Sequence, residues 1–204
     1  MLCGVDEAGR GPILGPLVMA AVYASKEDVP VGVRDSKQLS AARREELYKQ
    51  IVKLPHEIVV VSAAEVDVAV EQGRLNWLEA DHTVALIKAL GAKKAVLDCP
   101  SRNLQAYAEY VRERVSGVDV HAQFKADEEF VVVAAASILA KVTRDRLVAA
   151  LRLEAGFDFG SGYLTDPKTK EFLEEHFDEA FVGWRRSWRP YKARVARNQQ
   201  RRLL

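Results

Sequence analysis

Two short apolar runs open the chain, residues 2–6 and 17–24, each of strand length and separated by a glycine- and proline-rich turn, a connection that points to an antiparallel hairpin. A polar approach through Asp35, Ser36, Lys37 and Gln38 then leads to Ser40, which suits the N-cap of a helix over 41–53. EIVVVS at 57–62 predicts a third strand and residues 64–70 a short helix, followed by a longer helix over 75–90. One broad face of that helix carries Leu78, His82, Ala85, Leu86 and Ala89. KKAVLDCP at 93–100 runs three apolar residues into Asp98, and a helix over 101–114 and a strand over 118–123 come next. The run VVVAAASILA is too apolar for a surface helix and belongs at the centre of the fold. Residues 156–169 hold too many turn formers to continue it, and a helix over 168–177 opens after Pro167.

Early strands joined by a short turn and later strands separated by helices predict an α/β fold with a mixed sheet, antiparallel first and parallel afterwards, covered by helices. With 204 residues, 49% of them hydrophobic, the chain can bury one substantial core, so a main domain over 1–180 with an appendage over 181–204 is expected. The apolar runs are too short or too interrupted to span a bilayer. Cys3 and Cys99, both beside apolar sequence, favour a reduced cytoplasmic protein over a disulfide framework and supply no thiolate metal site.

Charge divides the chain where its formal net of +1 does not. Residues 1–180 hold 22 Lys or Arg against 29 Asp or Glu, a net of −7, whereas residues 181–204 hold eight Lys or Arg and no acid. An acidic body can bind cations and a basic tail a polyanion. The tail also contains Trp184, Trp188 and Tyr191, which either help it dock on phosphates or anchor it to the body.

Candidate chemistry lies in acids at strand ends. Asp6 and Glu7 stand before Gly9, Arg10, Gly11, Pro12 and Gly15; in a regular strand they face opposite sides, so both reach one centre only if the strand ends or twists there. An acidic turn that binds nothing is the plainer reading. Asp98 sits where a side chain lines the crevice of an α/β sheet, or else caps the following helix. Asp127 is drawn inward if the apolar segment after it is buried. Four converging acids would raise one another's pKa unless hard divalent cations entered, and Mg²⁺ or Mn²⁺ suits an all-oxygen set. GRGPILG lacks the GxGxxG spacing, which excludes a dinucleotide fingerprint. Tyr163, between Gly162 and Leu164, either packs as a lid or stacks on a sugar or base.

Six ordered patches, DEAGRGPILGP at 6–16, DSKQLS at 35–40, LDCP at 97–100, KADEEF at 125–130, AAASILAKVTRD at 134–145 and GSGYLTDP at 160–167, together resemble the ribonuclease HII family, most nearly its archaeal branch. The resemblance implies a ribonuclease H-like fold, a five-stranded mixed β-sheet flanked by helices with a C-terminal helical extension. It implies an endonuclease that hydrolyses the RNA strand of RNA/DNA hybrids and cuts 5′ to ribonucleotides embedded in duplex DNA, leaving 3′-hydroxyl and 5′-phosphate ends. Two Mg²⁺ or Mn²⁺ ions would be held by Asp6, Glu7, Asp98 and Asp127. Gly9, Arg10 and Gly11 match the family's 2′-hydroxyl-reading motif and Tyr163 its junction-sensing tyrosine. Lys37, Lys125, Ser137 and Lys141 match positions on the phosphate side or behind the metal ligands. A cytoplasmic monomer serving ribonucleotide excision in DNA replication and repair is the corresponding expectation. The tail departs from the family's pattern: Gln200, Leu203 and Leu204 supply the opening and a shortened end of a sliding-clamp-binding peptide, without its aromatic anchor, which leaves the basic tail for duplex DNA.

Overall fold

The computed structural model describes residues 1–33, 39–178 and 180–201. The chain folds as two compact units, one comprising Met1–Ala8, Val18–Val60 and Asn76–Thr143, the other Gly9–Leu17, Val61–Leu75 and Arg144–Leu204.

The first unit is built on a five-stranded sheet. β1 (Leu2–Ala8) pairs antiparallel with β2 (Leu17–Ala24), in register from Leu2 opposite Ala24 to Ala8 opposite Val18. β3 (His56–Val61), β4 (Lys94–Asp98) and β5 (Asp119–Gln123) complete the order β3-β2-β1-β4-β5, with β4 parallel to both β1 and β5. The sheet is therefore antiparallel in its early part and parallel in its later part, as the spacing of the strands predicts. β1 runs two residues beyond the predicted 2–6, because Glu7 and Ala8 still pair with Met19 and Val18.

Helices follow local signals. α1 (Ala41–Ile51) starts where Ser40 accepts a hydrogen bond from the Arg43 amide at 3.2 Å. α2 (Ala63–Glu71) opens on a capping box between Ser62 and Glu65. α3 (Leu75–Ala89) differs from the predicted face: it buries Glu79, Ala80, Thr83, Val84, Leu86 and Ile87, leaving Ala85 and Ala89 exposed. Two polar residues lie in the buried stripe, and a hydrophobicity pattern passes over them. Thr83 shares a 3.0 Å hydrogen bond with the buried Tyr107 hydroxyl, which removes the cost of hiding either group. α4 (Leu104–Arg114) starts three residues later than predicted, capped by Asn103, because Ser101 holds a turn by accepting from the Asn103 amide.

α5 (Ala126–Glu129) is a single turn entered through Lys125, the one non-glycine residue with positive φ among those described, at +57°. α6 (Val131–Ala155) is the apolar helix expected at the centre, and Val133, Ala134, Ala135, Ala136, Ile138, Leu139 and Ala140 have almost no exposed surface. Gly4 permits its approach: a Cβ there would lie 2.4 Å from the backbone of Val132 and Val133. Cys3, fully buried on β1, has its thiol pushed by desolvation up to about 12. Cys3 should therefore resist iodoacetamide at pH 8 in the native protein and react on unfolding, as mass spectrometry would record.

The second unit has its own core, in which Phe159, Phe172, Leu173, Phe177, Trp184 and Tyr191 pack together. α7 (Pro167–His176) is capped by Asp166 and α8 (Arg189–Arg201) forms the helical extension. Trp184 stacks on Phe172 at 5.1 Å between centroids, and the Tyr191 hydroxyl donates to the Phe177 carbonyl at 2.7 Å. These two tail aromatics are anchors. The segment ahead of α8 is pinned by Asp67 of α2, whose carboxylate accepts from the amides of Arg186 and Ser187 at 2.7 and 2.9 Å.

Candidate active site

Parallel register places two acids side by side. Val5 of β1 pairs with Leu97 of β4, and one residue beyond that pair each strand reaches an aspartate, Asp6 and Asp98. Asp6 shares its strand face with Gly4, two residues back, and that face packs against α6; the Ser137 hydroxyl on α6 hydrogen-bonds to the Asp6 carboxylate. The Glu7 amide also donates to Asp6 Oδ1, at 2.7 Å.

Asp127 joins the group through α5. Asp98 Oδ1 accepts from the Ala126 amide at 3.0 Å, so it caps a helix, but α5 rather than the neighbouring α4. That bond, together with the left-handed turn at Lys125, brings Asp127 into the first turn of α5 with 4% of its surface exposed. Burial first, then the Asp98 and Asp127 charges, push the Asp6 carboxyl up to about 8, against the lowering effect of the Ser137 and Glu7 hydrogen bonds. Asp6, Asp98, Asp127 and Ser137 are thus brought together.

Glu7 is placed differently. β1 continues its alternation through Ala8, so Glu7 faces away from Asp6, toward Tyr107, whose phenol is pushed well up by burial and further by the Glu7 and Glu79 carboxylates. The glycine turn that would redirect Glu7 begins one residue too late. Lys141 lies one helical turn beyond Ser137 on α6 and is half-buried. Lys125 extends from its turn and donates to Glu128 at 2.7 Å. Lys37 lies outside the described residues.

Among the described residues no three Asp, Glu, His or Cys side chains form a cage able to hold a metal ion. The donor chemistry nevertheless fits Mg²⁺ or Mn²⁺. Mg²⁺ is commonly bound by one or two carboxylates plus waters and substrate phosphates rather than by an all-protein cage. Three buried or half-buried aspartates, of which Asp6 is pushed up first by burial and then by the charges of the other two, are a set that a hard cation would relieve.

Gly9, Arg10, Gly11 and Tyr163 belong to the second unit. Here two arginines with at most 1% exposure, Arg144 and Arg185, hold the loop that follows β1. Arg185 donates through Nη2 to Gly9 O at 2.5 Å, through Nη1 to Arg10 O at 2.8 Å and through Nε to Gly15 O at 3.0 Å. Arg144 donates to Pro16 O at 3.3 Å, Leu14 O at 3.2 Å and Ser161 O at 3.4 Å. Its guanidinium also lies 5.0 Å from the centroid of the half-buried Tyr163 ring. Burial pulls Arg144 below its ordinary pKa, although the carbonyl bonds keep its positive charge accommodated. Trp188 completes the clasp, its Nε1 donating to Gly11 O at 3.3 Å.

The two glycines of the GRG segment have different reasons to be glycine. Gly9 has φ +90°, and a Cβ there would fall 2.2 Å from Arg144 Nε. At Gly11 φ is ordinary and a Cβ would meet nothing within 4 Å. Gly9→Ala should therefore cost about 1–3 kcal/mol, lowering Tm by about 2–4 °C per kcal/mol, while Gly11→Ala leaves Tm unchanged in thermal unfolding.

The roles of Arg144 and Arg185 were not legible beforehand. Arg185 is one of eight basic residues in a 24-residue tail, and its return to the loop after β1 is seen in the structure, in the neighbouring bridge of Trp184 to Leu14 and in the bond from its own amide to Ile13 O at 3.0 Å.

Comparison with known proteins gives a consistent result. The family model described as Ribonuclease HII matches residues 3–190. Ribonuclease HII of Pyrobaculum neutrophilum is 46% identical over 190 residues, which cover 91% of this chain and 93% of that protein. Among solved structures, the ribonuclease H2 of Pyrococcus horikoshii superposes with a TM-score of 0.85 at 34% identity, covering 97% of this chain and 98% of that one. A chain in the PCNA:RNase HII complex from Archaeoglobus fulgidus superposes with a TM-score of 0.80 at 41% identity, covering 86% of both chains.

Proposed function

Because the chain belongs to the ribonuclease HII family, in its archaeal branch, and is an endoribonuclease of RNA/DNA hybrids, we propose that it cuts on the 5′ side of ribonucleotides, including single ones embedded in duplex DNA. The products carry 3′-hydroxyl and 5′-phosphate ends. The observation that carries this reading is the meeting of Asp6, Asp98 and Asp127 at the carboxyl ends of β1 and β4 and the start of α5. These three form the core of a site for two Mg²⁺ or Mn²⁺ ions, which Glu7, on the opposite face of β1, joins only if its side chain turns at the strand end. Such ions, when bound, supply a water of lowered pKa, a hold on the scissile phosphate and stabilisation of the departing 3′ oxygen.

The chain's own groups prepare that chemistry. Ser137 fixes the rotamer of Asp6, and the Ala126 amide fixes Asp98, so neither carboxylate has to reorganise when charge develops. The backbone of Gly9, Arg10 and Gly11 reads the ribose 2′-hydroxyl, the group that distinguishes RNA from DNA, and Tyr163 stacks on the deoxyribose beyond it. Lys37, Lys125 and Lys141 act on the phosphate side. The decisive experiment incubates the protein with a duplex containing one ribonucleotide and with its all-DNA twin. Cleavage of the first alone, 5′ to the ribonucleotide and abolished by chelator, is expected; comparable cutting of both duplexes would point instead to a general two-metal nuclease.

The tail contributes affinity rather than chemistry. Arg194 and Arg197 are paired with Glu174, and Tyr191 anchors the unit, so a truncation that tests phosphate contact should spare residues up to Val195. Deleting 198–204, which also spares Arg197, should weaken duplex binding and flatten its salt dependence by up to about two units, one for each of Arg201 and Arg202, without moving the cut. A shifted cut would show that the tail selects the site. Likeness to the A. fulgidus enzyme in its PCNA complex supports a sliding clamp as a partner of this chain also. A cytoplasmic location belongs to the same reading. No described helix is long and apolar enough to cross a membrane.

A further inference from the structure

We propose that the buried Arg144 and Arg185 are positioning residues that make the 9–11 backbone a stronger hydrogen-bond donor and tie it to the Tyr163 loop as one preformed reading surface. The carbonyls that Arg185 holds, Gly9 O and Arg10 O, belong to the same peptide units as the Arg10 and Gly11 amides. A cation on the oxygen of a peptide unit polarises it and strengthens donation from its N–H, because hydrogen bonds in series reinforce one another where the dielectric is low. The space where a Gly11 Cβ would stand is open, so a ligand's hydroxyl or phosphate oxygen can come close to the backbone at Gly11. Trp188 donates to Gly11 O, whose peptide with Pro12 carries no N–H, so it holds the loop without adding a donor.

Arg144 performs the joining. Its Nε donates to Pro16 O and its Nη2 to both Leu14 O and Ser161 O, so one nitrogen joins the two segments, with the Tyr163 ring beside it. Lysine keeps the charge of either residue but cannot span three carbonyls with a planar fork. The inference rests on the proposed reading of ribonucleotide-containing duplexes, and the two fail in different ways.

Arg185→Lys and Arg144→Lys are compared with the parent for binding, in chelator, to a duplex with one ribonucleotide and to its all-DNA twin. The parent should prefer the first. In both variants that preference should fall at least fivefold, while affinity for all-DNA duplex stays within twofold. Amide hydrogen exchange should rise at 9–16 in Arg185→Lys, and at both 9–16 and 159–166 in Arg144→Lys. Folded variants that keep the parent's preference within twofold would overturn the inference while leaving the nuclease reading intact; a parent that cuts no ribonucleotide duplex would sink that reading itself. If either variant does not fold, exchange in the unaltered chain decides: Arg10 and Gly11 amides protected more by the ribonucleotide duplex than by its twin support the inference, and equal protection overturns it.

Discussion

Asp6→Asn should lower kcat/KM at saturating Mg²⁺ by about 10³-fold or more, equivalent to about 4 kcal/mol of transition-state stabilisation, and at the same time raise the Tm of the metal-free protein. Both effects have one cause. In the absence of cations, burial and the charges of Asp98 and Asp127 hold the Asp6 carboxyl at about 8, far above the 3.8 of an ordinary aspartate. Between those values the folded state keeps a proton that the unfolded state has released, so metal-free stability falls as pH rises from about 4 to about 8 and levels off above that. Asparagine has no proton to release and should flatten that slope. Added Mg²⁺ should raise the Tm of the parent and do so much less for the variant. Thermal unfolding against pH, with and without Mg²⁺, beside a cleavage assay, checks all of this; a folded variant with near-parental cleavage would remove Asp6 from the metal site. Asp98→Asn and Asp127→Asn should lose activity comparably. Glu7→Gln should lose less, since β1 turns that side chain toward Tyr107.

Tyr163→Ala should reduce kcat/KM on a single embedded ribonucleotide by about 5–150-fold, the kinetic equivalent of a stacking contact of roughly 1–3 kcal/mol, and Tyr163→Phe should lose far less. The ring lies beside Arg144 and is only half-buried, leaving surface for a sugar. Tyr163 also holds its loop through backbone: its carbonyl accepts from the Asp166 amide at 2.9 Å, and its amide donates to Ser161 Oγ at 3.4 Å. Those bonds survive removal of the side chain, so the fold should be spared. A tyrosine that merely packs predicts a lower Tm and equal losses on the embedded ribonucleotide and on a continuous hybrid. Measuring both substrates alongside thermal unfolding separates the two roles.

The hairpin, the alternation of later strands with helices and the burial of α6 followed from apolar spacing, because those elements are held by the periodicity that spacing records. Asp98 at the end of its strand was legible for the same reason. The orientation of α3 was not, since its buried face contains Glu79 and Thr83, and a hydrogen bond to Tyr107 substitutes there for hydrophobicity. Glu7 depended on where pairing stops, which is decided by Met19 and Val18 on the partner strand. The arginine clasp was least legible. Burying a guanidinium on carbonyls leaves no pattern in the local sequence, because each partner lies 128 to 176 positions away, apart from Ser161 at 17.

That separation sets an order of events during synthesis. The loop after β1 leaves the ribosome among the first residues, yet the carbonyls of Gly9, Arg10 and Gly15 meet their guanidinium only after Arg185 has emerged. A nascent chain of about 150 residues already holds the strands and acids of the first unit and Arg144, but not Arg185, which holds Gly9, Arg10 and Gly15. Closing so long a loop is slow compared with forming local helices. The acidic centre can therefore be assembled before the loop proposed to read the ribonucleotide is held, and a chain ending before Arg185 would carry the carboxylates without that clasp.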